Sequence, residues 1–380
     1  MSLVTTSGLL RARGLGIPFI GTPGVSNAIT DVPGVEVGYV THIEGESVRT
    51  GVTAILPRGK SRVGSACAAG FYSLNGNGEM TGTIWIEESG SLAMPIMITN
   101  THAVGIVHRG VIDWVLKNIP KLATQWLLPV VGETWDGFLN DINGSKITVA
   151  DAESAIDNAA GGVIEEGSVG GGTGMNCYEF KGGSGSASRL VQYGKDDYVV
   201  GAFVQANFGA RDELVISGVS MSGLNIPNHV PDSNWVSTDQ QERKIPAGAG
   251  SVIVVLATDA PLLPAQCKAL AKRVPLGLAR TGTTGSHFSG DIFIAFSTAN
   301  EGTLQSNFPV GEPSSADYDS FTAIPWGRMD SFFQAAVHAV EEAVVNALIA
   351  NHDMQGRAGH MSFALPHDQV LARLKYANLI

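Results

Sequence analysis

Short apolar runs, rich in β-branched residues and bounded by turn residues, recur along most of the 380-residue chain. Runs of this length and composition are typical of buried strands. The predicted strands cover residues 35–40, 84–86, 96–99, 128–131, 198–204, 252–256 and 292–296. The last two contain no polar residue and are the strongest strand candidates.

Apolar residues at three- and four-residue steps predict three helices, at about residues 106–119, 264–274 and 329–349. Pro264 stands at the start of the second, where proline is well tolerated. Strands and helices alternate without a strict βαβ rhythm, which favours a mixed α/β fold of the layered α+β type over a doubly wound sheet. We find no internal repeat and no long linker, so the chain is predicted to form a single domain, residues 1–380.

Glycine is unusually frequent: 47 of the 380 residues, against about 7 % in ordinary proteins. The glycines cluster without a three-residue period, which excludes a collagen-like chain. Hydrophobic residues make up 44 % of the chain and charged residues only 16 %. A chain of this composition can bury a large core and is not disordered.

The net charge of −11 excludes a general basic footprint for nucleic acid. No polybasic run suits an anionic membrane surface, and no apolar run approaches the length of a membrane span. Residues 1–18 lack the apolar core of a signal peptide. We therefore expect a cytoplasmic protein with no nucleic-acid or membrane partner; a periplasmic location stays open if a leader was removed.

Cysteine and histidine spacing gives no sign of a metal site. Cys67, Cys177 and Cys267 are far apart and odd in number, and the nine histidines show no zinc-ligand spacing. We expect no disulfide framework, no metal and no cofactor.

The chain turns polar from residue 228 to residue 250, a predicted loop that runs directly into the apolar strand at Gly250–Ser251. A serine hydroxyl is a weak nucleophile without a neighbouring base. If the bond before Ser251 were cut by an N→O acyl shift, the new α-amino group, with a pKa of about 7.7–8.0, could act as that base. Gly250, without a Cβ, could adopt strained backbone angles that allow this attack. A glycine turn that simply feeds a strand is the alternative.

The junction is one of several short sequence motifs that follow each other along the chain. They read NAITDVPGV at 27–35, NGNGEMTG at 75–82, GGGTGM at 170–175, QANFG at 205–209, GS at 250–251, VVLATDAPL at 254–262, VPLGLARTG at 274–282 and SGDIF at 289–293. The series covers nearly the whole chain. It resembles the self-processing β-peptidyl aminopeptidase family, which includes the L-aminopeptidase/D-amidase-esterase DmpA.

This resemblance implies an αββα sandwich similar to N-terminal-nucleophile hydrolases but with different connectivity. It also implies an inactive precursor that is cleaved into an α chain, residues 1–250, and a β chain, residues 251–380. Active members are typically homotetramers of such αβ units. The implied activity is removal of the N-terminal residue from short peptides, amides or esters, with N-terminal β-amino acid residues among the candidate substrates.

The resemblance also assigns the catalytic residues. Ser251 would be the new N-terminus and nucleophile, and the side-chain amide of Asn207 would help to form the oxyanion hole. Ser289 and Asp291 match a pair near the nucleophile's amine. Many members carry Glu at the second position, so Asp291 is a shorter version. Without the family, Asn207 and Ser289–Asp291 are compatible with ordinary turn residues.

Two more residues match substrate-binding positions. Glu133 corresponds to a carboxylate that receives the substrate's ammonium group, which an aminopeptidase needs to select a free N-terminus. Trp135 stands where some relatives carry Tyr. Because an indole N–H differs in reach from a phenolic O–H, we interpret Trp135 as a pocket wall.

Four alternatives remain open from the residues. His287 could form a Ser-His-Asp triad with nearby residues, although triads are assembled in space rather than along the sequence. The glycine-rich residues 167–174 could bind phosphate, but they lack a Gly-Lys-Ser/Thr ending, and a close-packed loop near the active site is favoured. The whole chain could be an acyltransferase of the ornithine acetyltransferase type, which uses Thr at its junction, or a non-catalytic glycine-rich binding protein. Cleavage at 250/251 separates the enzymes from the binding protein.

Overall fold

A computed structural model describes residues 1–227, 250–305, 308 and 311–380. The predicted loop over residues 228–249 lies outside the described residues. The strands are β1 Glu36–Glu44, β2 Val48–Leu56, β3 Cys67–Gly76, β4 Ser91–Leu92, β5 Ile96–Asn100, β6 Val130–Thr134, β7 Asn176–Cys177, β8 Phe180–Lys181, β9 Gly183–Tyr193, β10 Asp196–Asn207, β11 Val215–Ile216, β12 Val219–Ser220, β13 Ser251–Thr258, β14 Gly290–Ser297, β15 Met354–Gln355 and β16 Met361–Ser362. The helices are α1 Thr83–Ser89, α2 Val104–Asn118, α3 Val149–Asp157, α4 Pro264–Ala271, α5 Val274–Ala279, α6 Asp330–Ile349 and α7 His367–Tyr376.

Two sheets contain the long strands. One has four strands in the order β1-β2-β5-β6, and the other has six in the order β4-β3-β14-β13-β10-β9. Neighbouring strands are antiparallel except for the parallel pairs β5–β6 and β13–β14. The six-stranded sheet places strands from both sides of the Gly250–Ser251 bond next to each other, because β13 lies between β10 and β14.

The two sheets stack face to face and helices cover each outer face. Ile98 of the four-stranded sheet and Ile253 and Ile294 of the six-stranded sheet belong to the apolar cluster between the sheets. Helices α2 and α3 pack on the outer face of the four-stranded sheet, and α4 and α6 on that of the six-stranded sheet. Burial of all these apolar faces drives the layering. The predicted αββα sandwich is confirmed.

Helix α6 is an exception to the expectation about membrane spans. By length and mean hydropathy it would suit a bilayer. However, 78 % of its most apolar window is buried inside the protein, where it packs against β9 and β10. This is the arrangement of a core helix.

The strand predictions agree with the structure except at two places: only residues 130–131 of the predicted strand 128–131 lie in β6, and the prediction at residues 84–86 is wrong. These residues belong to helix α1, which begins after Gly82 and ends before Gly90, both in the left-handed conformation. Ile86 is buried while Ile84 is exposed. One inward side chain per turn fits a short surface helix better than a buried strand.

The glycine-rich segment forms a close-packed turn, as predicted. Gly170, Gly171 and Gly172 are all buried. A Cβ on Gly171 would lie 2.2 Å from Gln205 Oε1, and a Cβ on Gly172 would lie 2.4 Å from the Ser184 amide nitrogen. The segment therefore lies against the strands at a distance that only glycine permits.

Candidate active site

Strand register brings Ser251 together with two other predicted site positions. Ser251 is the first residue of β13, where it pairs with Asn207 at the end of β10 and with Gly290 at the start of β14. Its side chain is nearly enclosed, with the residue only 2 % exposed. The serine thus lies between the predicted oxyanion residue and the predicted Ser289–Asp291 pair.

Two N–H donors converge on the Ser251 hydroxyl. The Trp135 main-chain N–H donates to Ser251 Oγ at 3.3 Å, and Asn207 Nδ2 is 3.4 Å from the same oxygen. Asn207 Nδ2 also donates to the Trp135 carbonyl at 3.0 Å, while its Oδ1 accepts from the Asn176 N–H at 2.9 Å. These contacts fix the amide with its NH₂ group toward the serine.

The carbonyl group before Ser251 also has a donor. The Gly290 N–H donates to Gly250 O at 3.2 Å. A Cβ on Gly250 would lie 2.0 Å from Asn207 O. Gly250 is not among the glycines with positive φ, so the structure gives a different reason for this glycine than the predicted strained backbone. No side chain fits between the junction and β10.

Ser289 and Asp291 form a direct pair beside the junction. Ser289 Oγ donates to Asp291 Oδ1 at 2.5 Å, and both residues are buried. Burial raises the pKa of Asp291, against hydrogen bonds from Ser289, Asn75 and the Val252 main chain that lower it. The shorter aspartate therefore reaches both the serine hydroxyl and the strand that begins with Ser251.

Glu133 lies in β6 and is 2 % exposed. Its Oε1 accepts from the Glu79 N–H at 3.0 Å and its Oε2 accepts from the Thr101 hydroxyl. Burial raises the pKa of Glu133, opposed by these two hydrogen bonds. A Cβ built on Gly78 would lie 3.0 Å from Glu133 Oε1 and 3.2 Å from Gly290 Cα. The carboxylate is thus close to the strand end that carries the junction.

Asp136, which the sequence did not single out, follows Trp135 and is fully buried. Asn140 Nδ2 donates to its Oδ1 at 3.0 Å, and its Oδ2 accepts no hydrogen bond within the described part of the chain. Burial raises the pKa of Asp136 to about 7. No ion pair in the described ranges includes Asp136 or Glu133.

Trp135 contributes through its main chain, which sequence reasoning missed. Its N–H and its carbonyl contact Ser251 and Asn207. No sequence signal identifies such a donor, because every residue except proline carries an N–H. The pocket-wall role of the indole stays a prediction.

His287 makes no hydrogen bond to Ser251, Ser289 or Asp291 in the described part of the chain. It is exposed, and its ring lies edge-on against Phe288, 5.0 Å between centroids. The Ser289 hydroxyl instead donates directly to Asp291.

The described residues contain no candidate metal site. No group of three or more His, Cys, Asp or Glu side chains there could hold an ion. Cys67, Cys177 and Cys267 are free and buried.

A cavity of about 650 Å³ lies away from the Ser251 site. Its lining includes Leu92 of β4, which pairs with the first residue of β3. The next residue of β3, Ala68, pairs with Ser297 of β14, and Ser297 pairs with Thr258 at the far end of β13. Seven residue steps along the strand, at about 3.3 Å each, separate Thr258 from Ser251. The cavity is therefore at the opposite end of the sandwich from the junction.

Comparisons with known proteins agree with this geometry. The sequence profile of Peptidase family S58 matches residues 27–362. The β-peptidyl aminopeptidase BapA of Sphingosinicella microcystinivorans is 47 % identical over 374 residues, which cover 96 % of this chain and 92 % of that protein.

Solved structures give the same result. One is the L-aminopeptidase D-Ala-esterase/amidase from Ochrobactrum anthropi, described as a prototype for the serine aminopeptidases and a new variant of the Ntn hydrolase fold. It has a TM-score of 0.84 at 44 % identity and covers 97 % of this chain and 99 % of its own. A β-aminopeptidase from Burkholderia sp. has a TM-score of 0.83 at 42 % identity, with coverage of 97 % and 99 %.

Proposed function

The chain belongs to peptidase family S58 and is a serine aminopeptidase, and we propose that its nucleophile is Ser251, released as a new N-terminus by cleavage of the Gly250–Ser251 bond. The observation that carries this proposal is the convergence of two N–H donors, Trp135 N and Asn207 Nδ2, on a buried serine hydroxyl. Peptidase family membership favours a hydrolase over the acyltransferase and binding-protein alternatives.

Self-cleavage begins with attack of Ser251 Oγ on the Gly250 carbonyl carbon. The Gly290 N–H, which donates to that carbonyl oxygen, stabilises the charge that develops on it. The Oγ–C bond forms, the C–N bond breaks, and the hydroxyl proton passes to the departing nitrogen. Water then hydrolyses the ester, which leaves a carboxylate on Gly250 and a free amine on Ser251.

In the processed enzyme this amine is the general base. It accepts the proton of Ser251 Oγ as the oxygen attacks the substrate carbonyl, and it returns the proton to the leaving amine. Asn207 Nδ2 and Trp135 N donate to the oxyanion. Ser289 and Asp291 orient the amine from the neighbouring strand. Water hydrolyses the acyl-enzyme by the same route in reverse.

Glu133 receives the ammonium group of the substrate. It is buried, and no ion pair in the described ranges neutralises it, so a substrate cation supplies the missing opposite charge. The substrates are short peptides, amides or esters with a free amine. The relatives named as β-peptidyl aminopeptidases support N-terminal β-amino acid residues among them.

The active assembly is a homotetramer of αβ units in the cytoplasm. Family resemblance supports the tetramer, and light scattering of the processed protein measures its mass. Cell fractionation tests the location.

Denaturing mass spectrometry tests the self-cleavage mechanism. We expect two chains, residues 1–250 and 251–380, from the purified protein, and one intact, inactive chain from Ser251→Ala. The matched control Ser286→Ala alters a hydroxyl outside the site and should be cleaved normally. A single full-length species that hydrolyses the p-nitroanilide of alanine or β-homoalanine would contradict the mechanism.

A further inference from the structure

The described residues contain one lysine that is completely buried yet forms no ion pair among them. Lys181 lies in β8 and is 0 % exposed. Its ammonium donates to two carbonyl oxygens, Met175 O at 2.9 Å and Gly182 O at 2.7 Å. Burying an ammonium without a carboxylate is unfavourable, and such groups recur at functional sites.

Strand pairing directs this lysine toward the catalytic asparagine. Strands β7 and β8 form a hairpin in which Asn176 is opposite Lys181. The turn between them is made by Tyr178 and Glu179, both with positive φ. Asn176 N–H is the donor that holds Asn207 Oδ1 at 2.9 Å. Lys181 and Asn207 thus contact the two ends of one peptide group, since Met175 C=O and Asn176 N–H belong to the same amide.

We propose that Lys181 is a positioning residue of the oxyanion hole, which polarises the Met175–Asn176 peptide group and through it the Asn207 amide that faces Ser251. The chain of contacts runs from Lys181 Nζ to Met175 O, from Asn176 N to Asn207 Oδ1, and from Asn207 Nδ2 to Ser251 Oγ. Hydrogen bonds in such a chain strengthen one another. This inference rests on the proposed roles of Ser251 and Asn207.

A purely structural role for the ammonium is weakly supported by its contacts. Both carbonyls that it reaches have a second donor: Gly182 N donates to Met175 O at 2.9 Å, and Asn351 Nδ2 donates to Gly182 O at 3.0 Å. Removal of the ammonium therefore leaves neither carbonyl without a hydrogen bond. The cost of burying the charge would disappear at the same time.

Protonation of Lys181 gives the proposal a pH signature. Burial lowers the pKa of this lysine to about 7. The titratable group that acts on it is the Cys177 thiol of β7, whose own pKa is raised by burial, so the thiol stays neutral. Two uncharged groups contact the Lys181 main chain: the Phe363 carbonyl accepts from the Lys181 N–H, and the Asn351 amide donates to the Lys181 carbonyl. The ammonium, the stronger polariser, is present below the pKa and lost above it.

The test compares wild type with Lys181→Met, a neutral side chain of similar length. We expect kcat to fall about tenfold, because the polarised amide acts on the oxyanion and not on bound substrate. KM should change less than about twofold on the same grounds, and the melting temperature should not fall. In the wild type, loss of the Lys181 ammonium should lower kcat as pH rises above about 7. This decline should be absent from the variant.

Asn351→Leu is the matched control, because it removes hydrogen bonds to the main-chain carbonyls of Lys181 and Gly182 but none of the three contacts that join Lys181 Nζ to Ser251. It should lower the melting temperature and leave kcat near the wild-type value. Equal losses of kcat in both variants, or a normal kcat and pH profile in Lys181→Met, would overturn the proposal. All rates are divided by the cleaved fraction determined by mass. If Lys181→Met stays uncleaved, Lys181→Gln, which keeps a neutral donor, is measured instead. Its kcat, too, should not decline as pH rises above about 7.

Ser251→Ala separates this inference from the proposed function. If that variant retains activity, the proposed nucleophile is wrong and the role of Lys181 fails with it. If Ser251→Ala is inactive while Lys181→Met has a normal kcat and pH profile, the inference about Lys181 alone fails.

Discussion

Glu342 in helix α6 and Glu133 in strand β6 are both buried carboxylates, but their surroundings differ. Arg13 and Arg189 form ion pairs with Glu342 at 2.8 Å and 2.7 Å, and the Asn27 amide donates to it at 2.6 Å. Glu133 accepts only from a main-chain N–H and a hydroxyl group among the contacts described above. The protein thus neutralises Glu342 internally, whereas Glu133 has no ion pair in the described ranges.

This difference distinguishes a carboxylate that stabilises the fold from carboxylates in the candidate active site. At Glu342 the charge is neutralised within the protein, and the contacts tie residues near the N-terminus to β9 and α6. At Glu133, Asp136 and Asp291 the acids are buried without an arginine or lysine partner in the described ranges, and burial raises the pKa of each. Such acids are available to a substrate cation or to a catalytic proton.

The largest effect is expected from Glu342→Gln. Loss of this charge leaves the buried Arg189 and the partly buried Arg13 without their carboxylate partner, which should lower the free energy of unfolding by about 3–5 kcal/mol. Urea denaturation measures it. The control is Glu341→Gln on the same helix, whose partner Arg280 has a side chain 41 % exposed, so that its loss should be much smaller. Equal losses would show that pairing of Glu342 does not distinguish the scaffold.

The second-largest effect is expected in the pH dependence of folding stability, through Asp136. Its pKa is raised to about 7 in the folded state, whereas unfolded aspartate titrates near about 3.9. The folded state therefore holds the proton more tightly, and this contribution to stability is present at low pH and lost as pH rises toward about 7. Asp136→Asn should remove that decline.

Urea titrations from pH 4 to pH 8 compare the two proteins. The variant should be the more stable at pH 8, because the wild type then carries a buried anion without a cation. Asp141→Asn, in the same loop but exposed, is the control. Parallel curves for wild type and Asp136→Asn would contradict the assignment.

The smallest effect is expected from Glu133→Gln. The amide keeps the size of the side chain but loses the charge that we propose binds the substrate ammonium. KM for a substrate with a free amine should rise about 10–100-fold, the value of a charged hydrogen bond. Steady-state kinetics on alanine p-nitroanilide measure it.

Glu79→Gln is the control for that measurement, since Glu79 is a neighbouring acid with an exposed side chain. It should leave KM close to the wild-type value. An unchanged KM in Glu133→Gln would remove Glu133 from the substrate site and would weaken the contrast with Glu342.

Strand prediction succeeded where the side chains themselves prefer strands. The runs at residues 252–256 and 292–296 became the adjacent strands β13 and β14. Strand β9 was missed because its first half, Gly183 to Ser188, consists of glycine, serine and one alanine, which have low strand propensity. It forms a strand because β10 pairs with it and α6 packs closely on it. A Cβ on Gly185 would lie 2.1 Å from Ala343 O, so the small residue is needed there.

The side chains of the candidate site could be named from the sequence, but its main-chain donors could not. Ser251, Asn207, Ser289, Asp291 and Glu133 could be named from the sequence and the family resemblance. The N–H groups of Trp135 and Gly290 could not, because their role depends on where β6 ends and where β14 begins. Lys181 was also missed, since nothing near it in the sequence marks it as buried.

The sequence by itself determined the apolar layers, the identity of the family and the proposed cleavage junction at Gly250–Ser251, because each depends on residue types in local order. Only the tertiary structure decided which N–H groups face Ser251, which acids have no cationic partner among the described residues and where Lys181 is buried. Strand register and the stacking of the sheets set these relations. They are distances between residues far apart in the chain, which local propensity and composition do not encode.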